Sequence, residues 1–157
     1  MQESEYIFKR SRSVAIVVRD GRILLEKVFY FGRYFYTVPG GGIEDGETPA
    51  EAAIRELKEE CNVDGTIVRP LAVQYKPEGD GAAYSFEVSI PDDQDPTLGF
   101  DPEQPADNQA LKEVLWMSLD EISEKDRAFL WSYGLLTVGS YFEEIKTWGD
   151  EISYPTK

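Results

Sequence analysis

Glu56, Glu59 and Glu60 fall within little more than one turn if the segment that carries them is a helix. At about 100° per residue they share an arc of roughly 100°. Like charges at such spacings weaken a helix by about 0.2–0.5 kcal/mol per pair. Three of them together are either a solvated acidic face or a set of ligands. Two features favour ligands. Arg55 lies one turn before Glu59, where it can pair with that carboxylate and hold its orientation. Gly40, Gly41 and Gly42 precede the segment, and their free carbonyls and amides can complete a site for a hard cation and a phosphate. An oxygen-only ligand set, with no histidine or cysteine among the ligands, selects Mg²⁺ or Mn²⁺ over Zn²⁺. The whole chain has no histidine and a single cysteine, which removes His-based triads and His metal sites. Acid–base chemistry must therefore come from carboxylates, with Lys, Tyr or Cys61 as minor options.

The elements that must position these groups are legible on either side. Thr48 to Glu60 reads as a helix: Thr48 caps it, Pro49 takes the first position and Glu51 completes a Thr-x-x-Glu capping box. Asn62 follows the last turn, where a left-handed residue ends a helix and Asn substitutes for Gly. Ala50, Ala53, Ile54, Leu57 and Cys61 form the apolar stripe that packs on a sheet, with Cys61 an inert packing residue. Upstream, Val14 to Arg19 and Ile23 to Val28 read as strands joined by the hairpin signal Asp20-Gly21. Downstream, Thr66 to Gln74, Ala82 to Ile90 and Lys112 to Met117 are further strands, with a turn from Lys76 to Gly81. Pro91 to Ala106, rich in Pro and Asp, reads as an ordered loop or a mobile lid. Ser118 to Tyr133 reads as helical. Leu135 to Lys157 gives no firm pattern.

Gly41, Glu47, Arg55-Glu56-Leu57, Glu59-Glu60 and Val63 match in type and spacing the Nudix signature Gly-x5-Glu-x7-Arg-Glu-U-x-Glu-Glu-x-Gly-U, where U is bulky and apolar. The chain therefore resembles the Nudix hydrolases, with Asn62 standing where the signature has glycine. The resemblance implies an α/β/α sandwich with a mixed β-sheet, the motif helix on one face and a C-terminal helix on the other. It implies that Glu56, Glu59 and Glu60 bind Mg²⁺ or Mn²⁺, joined by the Gly40 carbonyl, and that Glu47 and Arg55 orient them. The general base would be Glu59 or Glu56. A carboxylate often added before the last core strand is missing, because Ala110 stands there; Glu103, Asp107 or Glu113 are substitutes. The implied reaction is metal-dependent cleavage of a diphosphate linkage in a nucleotide sugar such as ADP-ribose, or in a nucleoside triphosphate. A nucleotide-sensing module without turnover is the alternative. Pro77, fifteen residues beyond Asn62, resembles a mark of ADP-ribose-cleaving members, with an ordinary turn proline as the favoured reading.

Composition bounds the partners. At 157 residues, with 41% apolar residues, the chain is expected to be one globular domain over 1–157. A net charge of −14 opposes binding to nucleic acid polymers and to anionic membranes. It admits a small nucleotide-like substrate, since bound cations reverse the local field. The lone cysteine and the lack of a long apolar run point to a cytoplasmic protein. Among the aromatics from Phe29 to Tyr36, Tyr34 is a candidate to stack on a base, with hairpin packing as the plainer role. Arg33 is a candidate phosphate contact or a solubilising residue. Trp116 and Trp131 read as core anchors. Leu135 to Trp148 has the composition to pack on the domain or on a second copy, so a homodimer stays open.

Overall fold

A computed structural model describes residues 11–30, 32–75 and 81–122. Pro77, Trp131 and the segment from Leu135 onward lie outside the described residues. So does most of the helix expected from Ser118, of which the 3-10 turn Leu119–Glu121 is described.

The strands are β1 (Arg12–Ile16), β2 (Val18–Arg19), β3 (Arg22–Tyr30), β4 (Arg33–Thr37), β5 (Gly40–Gly42), β6 (Thr66–Tyr75), β7 (Ala82–Ser89) and β8 (Leu111–Met117), and the helix α1 spans Pro49–Cys61. They form two four-stranded sheets. One is mixed, in the order β5-β1-β7-β6, with β1 and β7 parallel and the other neighbours antiparallel. In the other, β3 pairs antiparallel with β2, β4 and β8. This is the α/β architecture with a mixed sheet that the sequence led us to expect.

Local chemistry accounts for the joints. Asp20 and Gly21 both take positive φ, at 52° and 74°, as a type I′ turn requires, and Arg19 faces Arg22 across it. Thr48 Oγ1 accepts from the Glu51 amide at 3.1 Å and donates to its carboxylate at 3.0 Å, which stops the helix from fraying at its start. Asn62 ends it in the left-handed region, at φ 57° and ψ 35°.

The core has two parts because β1 is covered on both faces. Val14 and Ile16 pack with Ile23, Leu25, Val38, Met117 and Ile122 on one side. Ala15 and Val17 pack with Leu24, Ala53, Leu57, Cys61, Val63 and Phe86 under α1 on the other. Ala52 is also fully buried, although it lies outside the expected apolar stripe. Its row continues one turn at a time through Glu56 to Glu60, so part of the acidic face is turned toward the sheet and not toward solvent.

Candidate active site

The entry to α1 is built to bring a backbone against a carboxylate. β5 pairs with β1 so that Gly41 lies opposite Ser13. A Cβ on Gly41 would meet the Glu56 carboxylate, so a larger residue there would displace that side chain from its present position. One residue earlier, the Gly40 amide donates to Glu60 Oε1 at 2.8 Å. The glycine loop thus meets two of the three helix carboxylates.

Arg55 organises the other flank. Its guanidinium grips Glu47 with two hydrogen bonds, Nε to Oε2 at 2.7 Å and Nη2 to Oε1 at 3.0 Å. It also donates to the Gly42 carbonyl at 2.9 Å, to Glu56 Oε1 at 3.0 Å and to Glu59 Oε2 at 3.3 Å. A planar fork satisfies such a set where a lysine could not. The Glu47 hydrogen bonds, followed by the nearby Glu56 charge, hold the guanidinium more firmly protonated than usual.

Burial makes this an unusual set of acids. Desolvation pushes Glu56 up to about 7 despite Arg55, and raises Glu59 as well. Glu60 is raised well above the ordinary carboxylate range, first by burial and then by the charges of Glu26 and Glu56. Glu26, from β3, is 1% exposed and reaches about 8, again mainly through burial. It shares a hydrogen bond with Glu60. Sequence reasoning missed it, although a glutamate inside the apolar run Ile23-Leu24-Leu25-Glu26-Lys27-Val28 is a visible anomaly.

The loop from Pro91 to Ala110 is ordered and closes the end of α1. Thr97, Gly99 and Phe100 amides donate to the carbonyls of Cys61, Glu60 and Glu59 at 2.9, 2.8 and 3.1 Å. Gly99 lies so close that a Cβ there would strike the Glu59 carbonyl. The Asn62 side chain donates to Thr97 Oγ1 at 3.0 Å and to the Thr97 and Leu98 carbonyls at 3.3 Å. The strap delivers Asp101 to the cluster, where its charge helps raise Glu26, Glu56 and Glu59. It also delivers Gln104, which donates to the Tyr30 hydroxyl at 2.9 Å. Of the acids considered in this region, Glu103 donates its backbone amide to Asp101 Oδ1 at 2.8 Å, and Glu113 sits on β8 opposite Lys27.

Other candidates lie elsewhere. Tyr34 is 60% exposed, meets Phe29 in a tilted ring contact with centroids 4.8 Å apart and lies under the Lys27 ammonium. The β3–β4 register puts Tyr34, Phe29, Tyr36 and Lys27 on the face opposite Glu26. The rings on the Glu26 face are Tyr30 and Phe35, with Arg33 exposed beside Tyr30 at the hairpin tip. Trp116 packs against the core under α1 and carries the Arg19 guanidinium over its ring at 5.3 Å.

Comparison with known proteins settles what this arrangement belongs to. The NUDIX domain family profile matches residues 9–137. The chain belongs to the Nudix family. An RNA pyrophosphohydrolase of Aeromonas hydrophila is 42% identical over 65 residues, which are 41% of this chain and 36% of that protein. An uncharacterised Nudix hydrolase of Schizosaccharomyces pombe is 30% identical over 109 residues, covering 63% of this chain and 53% of that one. The chain thus spans between about a third and about a half of the length of these curated relatives. A Nudix hydrolase structure from Nitrosomonas europaea superposes with a TM-score of 0.62 at 25% identity, over 75% of this chain and 62% of that one. An ADP-ribose pyrophosphatase from Streptococcus suis shares the fold, with a TM-score of 0.54 at 18% identity over 71% and 75% of the two chains. The Nudix box therefore occupies β5, the following loop and α1 of this protein.

Nudix proteins generally depend on a divalent cation, and the residues here fit one. The donors are all oxygen. Glu26 Oε2 and Ser13 Oγ are buried with no hydrogen-bond partner, and Ser13 shares the face of its sheet with Gly41. As the side chains stand, no three acidic groups among the described residues close around one point. Arg55 engages Glu56 and Glu59 while Glu26 engages Glu60.

Proposed function

We propose that this Nudix protein is a Mg²⁺- or Mn²⁺-dependent pyrophosphohydrolase that cleaves the diphosphate linkage of a small nucleoside diphosphate derivative. The observation that carries this reading is the desolvated carboxylate set on α1, facing Gly40 and Gly41 and oriented by the Arg55–Glu47 clamp. Glu56, Glu59 and Glu60 are the residues to hold the cation. When bound, it would neutralise the diphosphate and lower the pKa of water for attack on phosphorus. Glu47 and Arg55 keep the carboxylates in place. Glu56 and Glu59 are the candidates to take the proton, and both contact Arg55 at its Nη1. The strap from Thr97 to Phe100 fixes the C-terminal end of α1, which carries Glu59 and Glu60, through backbone hydrogen bonds.

The net charge of −14 supports a small substrate over an RNA chain, since an acidic surface disfavours contacts to successive phosphates. The substrate classes are a nucleotide sugar, such as the ADP-ribose of the Streptococcus suis enzyme's name, or a nucleoside triphosphate. The 5′ end of RNA, suggested by the Aeromonas hydrophila relative, is the competitor.

The test is phosphate release, after phosphatase coupling, from ADP-ribose, sugar nucleotides, nucleoside triphosphates and 5′-triphosphorylated RNA, with and without Mg²⁺ or Mn²⁺. One substrate should turn over only with metal. Glu60→Gln should reduce that turnover by about 100-fold or more, beyond what disturbing a ligand's neighbours does, while the fold is kept. Near-normal turnover in Glu60→Gln would sink the assignment. Nucleotide binding without turnover of any substrate would identify a sensing module instead.

A further inference from the structure

Glu26 has no role in the signature helix, yet it is the most deeply buried acid among the described residues, at 1% exposure. β3 places it on the sheet face that also carries Leu24, which packs under α1. One side of its carboxyl meets Glu60, and Glu56 and Asp101 lie near enough to act on it. Its Oε2 has no hydrogen-bond partner. A buried acceptor left unpaired beside other acids destabilises a fold, and an apolar side chain of the same shape would pack better. Shape therefore does not explain a glutamate here. A hard cation does, because it consumes the free oxygen and relieves the repulsion among the acids together. Ser13 Oγ, also buried and unpartnered on the helix side of its sheet, adds a second idle oxygen to the same region.

We propose that Glu26 is a further oxygen ligand of the divalent cation, supplied from β3 and paired with Glu60 across the gap between strand and helix. This rests on the cation dependence proposed above. The cation would then tie α1 to β3 as well as to β5. The site would be assembled from two sheets and a helix, so the hairpin that carries Tyr30 and Arg33 would be coupled to metal occupancy.

The experiment is Mn²⁺ titration of the purified protein, reading free Mn²⁺ by electron paramagnetic resonance and bound-water number by proton relaxation. The variants are Glu26→Gln, Glu26→Asp and Glu60→Gln. Glutamine keeps the shape and can still donate to Glu60, so it preserves a purely positioning role while removing an anionic ligand. The expected result is Mn²⁺ binding weakened about tenfold or more in Glu26→Gln, with an additional exchanging water on the ion. Glu26→Asp, which retracts the carboxylate by one methylene, should also bind more weakly. Wild-type affinity in Glu26→Gln overturns the ligand role. If Glu60→Gln loses binding in the same series, the cation site itself stands. Weaker binding in Glu26→Gln with no added water also overturns it, because Glu26 would then act only through Glu60. Absence of Mn²⁺ binding in the wild-type protein overturns both this inference and the cation dependence beneath it.

Discussion

On one side of the carboxylate cluster Arg55 meets Glu47, Glu56 and Glu59; on the other, Glu60 meets Glu26 and a backbone amide. Both groups are partly or wholly removed from water, so both face the same cost of burying charge. The first group meets it with a resident cation whose fork is shared among several acids. In the second, Arg12 on β1 offsets part of the repulsion, and burial still raises both acids. The difference separates two tasks. A compensated cluster has its charges matched by a resident cation before any ligand arrives. An under-compensated pair is set to take up a proton or a metal ion, and so can respond to a ligand.

The largest effect should come from breaking the compensated side. Arg55→Ala leaves Glu47 and Glu56, each 13% exposed, without their shared partner. Removing one member of a buried pair costs about 3 kcal/mol or more, which for a chain of this size lowers the melting temperature by roughly 6 to 12 °C. Turnover should fall by about 10- to 100-fold because the ligands lose their support. Glu60→Gln should do the reverse to stability, melting at or above the wild-type temperature while losing turnover. A thermal melt of the two variants side by side checks this. An Arg55→Ala protein that melts like wild type would remove the distinction between the two sides.

The compensated side was also the legible one. Arg55, Glu56 and Glu59 lie within about a turn of one another, so a helical wheel brings them together without knowledge of the tertiary fold, while Glu47, ahead of the Thr48 cap, was marked only by the resemblance to the Nudix signature. The Thr48 box and the Asn62 cap are likewise local, set by residues within a turn of one another. Glu26 and Asp101 reach the cluster from strands and loops that are distant in sequence, so spacing along the chain holds no signal of their approach. Glu26 did leave a trace, as a charge at an inward position of an apolar strand. Asp101 left none: its placement depends on the strap bonding to the carbonyls of Glu59, Glu60 and Cys61. The face assigned to an aromatic also depends on strand register, which is why Tyr34 and Tyr30 could not be told apart beforehand.

The under-compensated side should announce itself in the pH dependence of stability. Glu26 has an ordinary value of 4.5 and is raised to about 8, and across the boundary burial raises Glu56 from the same value to about 7 even though Arg55 contacts it. Glu60 moves in the same direction. Each holds its proton more tightly in the folded chain than in the unfolded one. The folded state therefore binds more protons between the two values, and stability falls as pH rises through that interval. In chelator, the melting temperature should be highest near pH 5 and drop steadily toward pH 8, the window given by the ordinary and raised values of Glu26. Saturating Mn²⁺ should flatten the drop, since the ion favours the ionised carboxylates. A chelated protein whose stability rises between those limits would contradict the burial-driven shifts.

The smallest effect concerns Asn62, the one departure from the signature. Glycine there would keep the left-handed cap at φ 57° and relieve its steric cost. It would remove the Asn62 side-chain hydrogen bonds to Thr97 and Leu98. These contacts are exposed, so each contributes about 0.5–1 kcal/mol at most, and the gain in cap geometry offsets part of the loss. With two amide hydrogens to share among these acceptors, the net loss is about 1 kcal/mol, so Asn62→Gly should melt within about 4 °C of wild type. The change should appear locally, as faster hydrogen exchange at the amides of Thr97, Gly99 and Phe100, which are the strap's bonds to α1. Unaltered exchange there would mean that the backbone bonds alone seat the strap. In that case asparagine at this position is only a tolerated cap, and the placement of Asp101 owes nothing to it.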